Sequence, residues 1–384
     1  MEKKPTSEKS MRFWTKSANR VTKAYPKLKR TFCSRRVKKI SLVKRLSFFD
    51  KILFLINSLL ALALLLACLV PFVPADEFPF IAILSLGVPI LVGFNLLFLC
   101  YWLLRKKRQM VVSLIVLILG YFTVGSFIGF EFSDEGIVEE DLKVMTFNVR
   151  KFNRYEAIKR PNVFEETLAF IFAEDPDILC VQEVDYRKRE AFKERYPYQH
   201  LRYDNYGHKS LMAIFSKYPI VKSNTLDWPN SMNNGCYADI LYQKDTIRVY
   251  NLHMESLQIN PSKEYMVREA KPRLYKSLSR IFKKQSIQAK AFRRHRDSVK
   301  YKTIVCGDFN NTQFSNSYRV VKGDMYDTFL EKGNGLGTTY SFLGLPYRID
   351  YILADPSFET VTHKNYDVHF SDHFPVMASF RLEE

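Results

Sequence analysis

A set of polar residues ends or interrupts apolar runs in the C-terminal two-thirds of the chain, where packing alone explains them poorly. Asn148 ends Val144-Met145-Thr146-Phe147-Asn148, Glu183 ends Ile178-Leu179-Cys180-Val181-Gln182-Glu183, and His253 follows Val249-Tyr250-Asn251-Leu252. Asp308 and Asn310 stand in Val305-Cys306-Gly307-Asp308-Phe309-Asn310, where strand alternation predicts that both face one side with Phe309 between them. Asp350 lies in Tyr347-Arg348-Ile349-Asp350-Tyr351-Ile352-Leu353, and Asp372-His373 opens the last apolar run. A carboxylate at the end of a buried strand requires a partner. Together the acids and amides offer hard oxygen ligands for Mg²⁺, with Mn²⁺ as the alternative, and the imidazoles and amides offer donors to a phosphoryl centre. Three positions have structural alternatives: Asn148 as a backbone cap, His253 as a hydrogen-bonded core histidine, and Asp350 as the ion-pair partner of Arg348.

These residues must be carried by strands. Leu142–Val149, Asp177–Val184, Leu211–Phe215, Cys236–Tyr242, Thr246–His253, Thr303–Cys306, Arg348–Leu353 and Phe374–Phe380 all read as strands, and positions 164, 168, 171 and 172 recur at helical spacing before Asp175-Pro176. Short connections such as Gln243-Lys244-Asp245 read as hairpins, so the arrangement is mixed, and two packed sheets with outer helices suit its length. Cys180 and Cys306 sit in strand-like runs and read as buried free thiols, and no cysteine spacing suggests zinc. Tyr206–Ser210, Asn234-Gly235 and Thr338–Phe342 read as loops or turns with a possible secondary role in substrate contact.

Five separated signatures occur in order: Thr146-Phe147-Asn148, Gln182-Glu183, Asn251-Leu252-His253, Gly307-Asp308-Phe309-Asn310 and Ser371-Asp372-His373-Phe374-Pro375, with Arg348-Ile349-Asp350-Tyr351-Ile352 as a sixth. In these the chain resembles the endonuclease/exonuclease/phosphatase superfamily over roughly 141–382. The resemblance implies an α/β fold, a four-layered sandwich of two mixed sheets with the active site at one edge. It also implies a divalent-metal-dependent hydrolase of phosphomonoesters or phosphodiesters. Glu183 would then be the principal metal ligand, helped by Asn148 and Asp372. Asp308 would position or deprotonate the attacking water and Asn310 would donate to the phosphate. His373, oriented by Asp350, would stabilise developing charge, and His253 would act likewise or assist the leaving oxygen.

The N-terminal part is of another kind. Residues 52–73 form an uncharged apolar run long enough to cross a bilayer, a second extends from about Phe78 to Leu104, and a third covers Met110 to Phe130. These predict a three-helix transmembrane region at 52–130, between a basic segment at 1–51 and the domain at 141–382. Residues 1–51 hold 17 Lys or Arg against Glu2, Glu8 and Asp50, Arg105-Lys106-Lys107-Arg108 follows the second run, and only Asp76 and Glu77 are charged between the first two runs. The positive-inside rule therefore predicts a cytoplasmic N-terminus and an extracytoplasmic catalytic domain, with a bacterial inner membrane favoured. Of the net charge of +18, only about +2 then remains beyond residue 130. Charge that might suggest nucleic acid thus has a topological explanation. Residues 261–302, with 14 Lys or Arg against Glu264, Glu269 and Asp297, remain as a basic segment. It reads as a solvated helix or a contact for anionic lipid, packed through Leu278, Ile281, Phe282, Ile287 and Phe292. A lipid headgroup or phosphorylated small molecule is the expected substrate; extracytoplasmic DNA or RNA is the alternative, and a catalytically impaired binding protein a further one. Nothing in the sequence specifies an oligomer.

Overall fold

The computed structural model of the protein describes residues 46–126, 128–131, 138, 140–201, 209–257, 271–342 and 344–382. Most of the basic segment 1–51, Tyr206-Gly207-His208 and the first part of 261–302 lie outside the described residues. The chain divides into two compact units, Met1–Lys51 and Ile52–Glu384.

Helices α1 (Phe48–Ala67), α2 (Leu84–Leu104) and α3 (Met110–Val124) follow the three apolar runs. Two apolar helical stretches, Phe48–Phe72 and Pro79–Leu104, are long enough to cross a membrane. The third run, expected to span from Met110 to Phe130, forms a helix of only 15 residues. At 1.5 Å per residue that is about 22 Å, less than the ~30 Å of a hydrocarbon core. Gly125 ends it: with φ at 78° it leaves the helical conformation while its N–H still bonds Tyr121 O. The helices share buried polar contacts, Asn57 Nδ2 donating to Ser113 Oγ at 2.7 Å and Trp102 Nε1 to Asn57 Oδ1 at 3.0 Å. Ala61, Leu64, Val88 and Val116 pack between them.

One end of this helical layer is fastened to the remainder of the unit. Pro89 inside α2 has no N–H to offer the carbonyl of Ser85 four residues earlier. Thr312 Oγ1 donates to that carbonyl instead at 3.2 Å, and Tyr347 Oη donates to Leu86 O at 3.1 Å. Asn316 Nδ2 reaches Pro71 O and Gln313 Nε2 reaches Ser126 O. Lys290 and Ser286 bond Asp76, in the turn before α2. The basic turn Arg105–Arg108 joins the opposite ends of α2 and α3.

Beyond the helices, alternation along each strand builds the sandwich. In β1 (Leu142–Asn148) and β2 (Ile178–Gln182), Leu142, Val144, Ile178 and Cys180 face the second sheet. Met145, Phe147, Leu179 and Val181 face α4 (Val163–Glu174). β3 (Tyr198–Leu201), β4 (Met212–Ser216) and the late strands below complete the first sheet. The second sheet contains β5 (Ile220–Leu226), β6 (Gly235–Tyr242), β7 (Asp245–His253), β8 (Thr303–Asp308), β9 (Tyr326–Asp327) and β10 (Asp350–Ala354). With β11 (Phe358–Asn365) and β12 (Val376–Leu382), the strand orders are β11-β12-β1-β2-β4-β3 and β9-β10-β8-β7-β6-β5. Each six-stranded sheet has one parallel pair at its centre, β1 with β2 and β7 with β8, and is otherwise antiparallel. Helix α5 (Lys271–Asp297) covers the outer face of the second sheet through Ala289 and Phe292. The expected α/β sandwich with two mixed sheets is therefore present.

The face expected for α5 needs one correction. Leu278, Ile281, Phe282 and Phe292 are buried, but Ile287 is 50% exposed. Gln285 occupies the buried stripe instead, donating to Glu255 O at 2.7 Å and Asn310 O at 3.1 Å. Much of the helix's charge is neutralised locally: Lys284 pairs with Glu255, Lys290 with Asp76, and Arg293 and Arg296 with Asp324.

Candidate active site

The inward rows of the central strands all change from apolar to polar at the same edge. The registers that align them pair Asn148 with Gln182, His253 with Asp308, and Asp308 with Asp350. One residue below the rim, Gln182 Nε2 donates to Asn251 Oδ1 at 2.6 Å and to Thr146 Oγ1 at 3.0 Å. Asn251 Nδ2 in turn donates to Val181 O and Ala213 O. This polar bridge ties the two sheets together directly beneath the rim. Sequence reasoning used Gln182 and Asn251 only as motif neighbours. Their parity was a usable signal, since Gln182 shares the inward row of Ile178 and Cys180, and Asn251 that of Ile247 and Val249.

Asp308 lies at the centre of the rim and is almost wholly buried. Its Oδ1 accepts from Asn310 N at 2.8 Å, and its Oδ2 accepts from Asn148 Nδ2 and Asn310 Nδ2, each at 3.1 Å. Asn310 does not reach it by strand alternation, as the spacing predicted. The strand ends at Asp308, and a turn with Asn310 at φ 50° folds the amide back. Burial, foremost, pushes the Asp308 carboxyl up to about 7, with Asp350 adding to it while His373 and the amide donors oppose it.

His373 Nδ1 is 2.9 Å from Asp350 Oδ2, and its Nε2 is 3.7 Å from Asp308 Oδ2. Burial disfavours its charge, but Asp350 and then Asp308 outweigh burial and raise it to about 10, so the ring is an imidazolium at neutral pH. Asp350 itself is fixed by Thr339, whose Oγ1 accepts from the N–H groups of Ile349 and Asp350. Thr339 is therefore committed to the backbone, while its neighbour Tyr340 packs on the His373 ring at 4.9 Å. The structural alternative for Asp350 is overturned: Arg348 pairs with Asp327 through Nη1 at 2.8 Å and with Gln313.

His253 is equally deep but opposite in state. Burial, then His373, lowers it to about 3, leaving a neutral ring. Its Nδ1 is 3.2 Å from Ser210 Oγ, and its buried Nε2 has no hydrogen-bond partner although Asp308 Oδ2 is at 3.5 Å and Glu183 Oε1 at 3.9 Å. Neither contact is an ion pair, because a fully buried neutral imidazole carries no charge.

Glu183 is more open, with 30% of its side chain exposed, and its Oε1 is 3.5 Å from Asn148 Nδ2. Its backbone sits at φ 53°, in the left-handed region that non-glycine residues seldom adopt. Lys151 N donates to Glu183 O at 2.7 Å, and Arg150 N donates to Asn148 Oδ1. The same turn aims Arg150 Nη1 at Asp372 Oδ2, 2.7 Å away. Arg150, missed in the sequence, thus joins the group. Of the weaker sequence candidates, Asn234 bonds His253 only through its backbone carbonyl.

Two sets of groups could hold a cation. Asp308, Asp350 and His373 present ligand-type atoms within 4.8 Å of one another. However, Asp350 and His373 are spent on each other, and a protonated imidazole has no free lone pair. Glu183, beside Asn148 and with the unpartnered His253 Nε2 behind it, has the hard-oxygen character that a divalent ion requires. Asp372 faces the same cleft, with its carboxylate held by Arg150. The cleft is about 430 Å³ in volume. Its lining combines Asn148, Arg150, Glu183, Asp308, Asn310 and His373 with the largely apolar Leu86, Leu257, Phe342, Tyr347 and Ile349.

The Endonuclease/Exonuclease/phosphatase family model matches residues 145–373, and a domain of unknown function, DUF8431, matches residues 50–127. No curated protein matches the chain. Similar solved structures include a humanized TDP2 from D. rerio, at 14% identity and a TM-score of 0.47, covering 63% of this chain and 100% of that one. A mannosyl-6-phosphatase from Bacteroides thetaiotaomicron is 18% identical with a TM-score of 0.47 over the same shares. An endonuclease/exonuclease/phosphatase from Beutenbergia cavernae is 19% identical with a TM-score of 0.48, covering 63% of this chain and 72% of that one.

Proposed function

This chain belongs to the endonuclease/exonuclease/phosphatase family and is a phosphoester hydrolase; from that premise we propose that its cleft hydrolyses phosphoesters at the outer face of a membrane. The observation that carries the chemical reading is the pairing, on one cleft wall, of a buried carboxylate with a charged imidazole: Asp308 Oδ2 and His373 Nε2 are 3.7 Å apart. Asp308, held by Asn148 and Asn310, is placed to orient a water and receive its proton as the water oxygen attacks phosphorus. His373, kept cationic by Asp350, stabilises negative charge that grows on the phosphoryl oxygens. Asn310 steadies Asp308 through both its backbone and its side-chain N–H. His253, neutral and beneath the cleft, acts through its proximity to Asp308 and Glu183. Glu183, with Asn148 and Asp372, would hold a divalent ion, Mg²⁺ or Mn²⁺; when bound, it supplies charge neutralisation at the phosphoryl and leaving oxygens.

The membrane part of the proposal rests on two long apolar helices and on where they are fastened. The end carrying Pro71, Asp76, Ser85 and Leu86 meets the sandwich, whereas the Arg105–Arg108 turn lies at the other end. Basic flanks favour the cytoplasm, so the sandwich belongs outside; this requires α3, although shorter than the hydrocarbon core, to make a third crossing with local thinning of the bilayer. On α5, Arg273, Lys276, Arg280 and Lys283 form an exposed stripe opposite the face that packs near Ala75 and Ala82.

Asp308→Ala tests the chemistry. The purified variant should retain its circular dichroism and lose at least ~100-fold in metal-dependent phosphate-ester hydrolysis, the usual scale for a general base. Full activity would reject the assignment. A reporter fused after Glu384 tests the topology: a fusion active only in the cytoplasm would refute it.

A further inference from the structure

We propose that helix α2 forms part of the substrate site, and that the substrate is an amphiphilic phosphoester still seated in the membrane, with its apolar chain lying along that helix. This rests on the reading of the cleft as a phosphoester hydrolase site. The cleft has a mixed lining: besides its charged and amide groups, Leu86, Leu257, Phe342 and Ile349 contribute apolar surface to it. Leu86 comes from α2 itself. A soluble phosphoester has no use for a wall built from a membrane-spanning helix, whereas a lipid presents a charged phosphoester joined to hydrocarbon.

The wall continues beyond the cleft. Leu86, Ile90, Phe94 and Leu97 are spaced by four, four and three residues and therefore share one face of α2. Ile90, Phe94 and Leu97 are 40%, 45% and 66% exposed. An apolar stripe thus runs from the edge of the phosphoryl site down the length of the span. Exposure of such a stripe is costly in water and neutral in hydrocarbon, so a chain lying on it need not leave the bilayer. The upper part of the stripe is held in place: Thr312 takes the carbonyl that Pro89 releases, and Tyr347, itself on the cleft wall, bonds Leu86 O. The same two contacts fix the distance between the reacting groups and the start of the stripe.

The full-length protein in detergent micelles, with Mg²⁺ or Mn²⁺, is assayed on matched esters: dioleoyl and dibutyryl phosphatidic acid as monoesters, and dioleoyl and dibutyryl phosphatidylglycerol as diesters. The wild type should prefer the long-chain member in kcat/KM. Leu86→Gln should lower the long-to-short ratio by roughly 10- to 100-fold, the worth of one buried leucine side chain. In parallel, phosphatidic acid carrying a photoreactive group in its acyl chain should label peptide 84–97 of the wild type, with protection by excess dioleoyl phosphatidic acid. An unchanged ratio in Leu86→Gln, a wild type indifferent to chain length, or labelling that avoids 84–97 would overturn the proposal. Hydrolysis of the soluble esters with no chain preference leaves the general phosphoesterase reading intact. Failure to hydrolyse any of the four esters counts against that reading, while the photolabelling result still decides this one.

Discussion

Replacing Asp350 by Asn preserves shape and removes the charge 2.9 Å from His373 Nδ1. His373 owes its charged state at neutral pH first to Asp350 and second to Asp308, both acting against burial. A charge-assisted hydrogen bond contributes about 1.5–3 kcal/mol. If the whole of it acts in the transition state, its loss lowers kcat by roughly 10- to 150-fold at ~1.4 kcal/mol per factor of ten. The pH profile supplies the sharper readout. With its pKa near 10, the wild-type imidazolium persists far into the basic range. In Asp350→Asn, burial is opposed only by Asp308 and, more weakly, by Asp372, so the basic limb of kcat should move to lower pH. The metal-free protein gives an independent check. The folded pKa of His373 lies above its ordinary value of 6.5, so its contribution to stability is complete below pH 6.5 and is lost as pH rises through about 10. Asp350→Asn should flatten that slope in thermal melts taken between these limits. An unchanged kcat with an unmoved basic limb would refute the role given to the pair.

Three other perturbations probe the frame that holds the site. Gly307→Ala should destabilise the protein by about 3 kcal/mol or more, read as a loss of Tm. Its φ is 135°, and a Cβ there would stand 1.9 Å from Leu252 O across the β7–β8 seam; an unchanged Tm would show that the seam is misdescribed. Arg348→Met should cost about 3–5 kcal/mol in denaturant titration by leaving Asp327 buried without its charge partner, and adding Asp327→Asn should recover part of that loss; equal stability of the single and double variants would argue against the pairing. Asn251→Leu should cost about 1–3 kcal/mol, because Gln182 Nε2 loses its shortest acceptor beneath the rim; an unaffected melting curve would show that the inter-sheet bridge contributes nothing.

The sequence by itself determined the features that are local in the chain. Alternating apolar residues specified the strands, because a strand's two faces differ at successive positions, and uncharged runs specified α1 and α2, because only length and apolarity are needed. The types and order of Asn148, Glu183, Asp308 and His373 were sufficient to suggest phosphoryl chemistry. Partnerships between distant segments were decided only by tertiary structure. Arg348 stands two residues from Asp350 in sequence, yet it lies just before β10 begins and its guanidinium goes to Asp327, leaving Asp350 to His373. Asn310 reaches Asp308 through a left-handed turn that no alternation rule contains. Partners rather than burial separate two equally buried histidines, His253 neutral and His373 charged, since only the second has a carboxylate at its Nδ1. Leu86 shows the same division most plainly: in sequence it is one leucine among many in an apolar run, and only the packing of α2 against the sandwich brings it into the lining of the cleft.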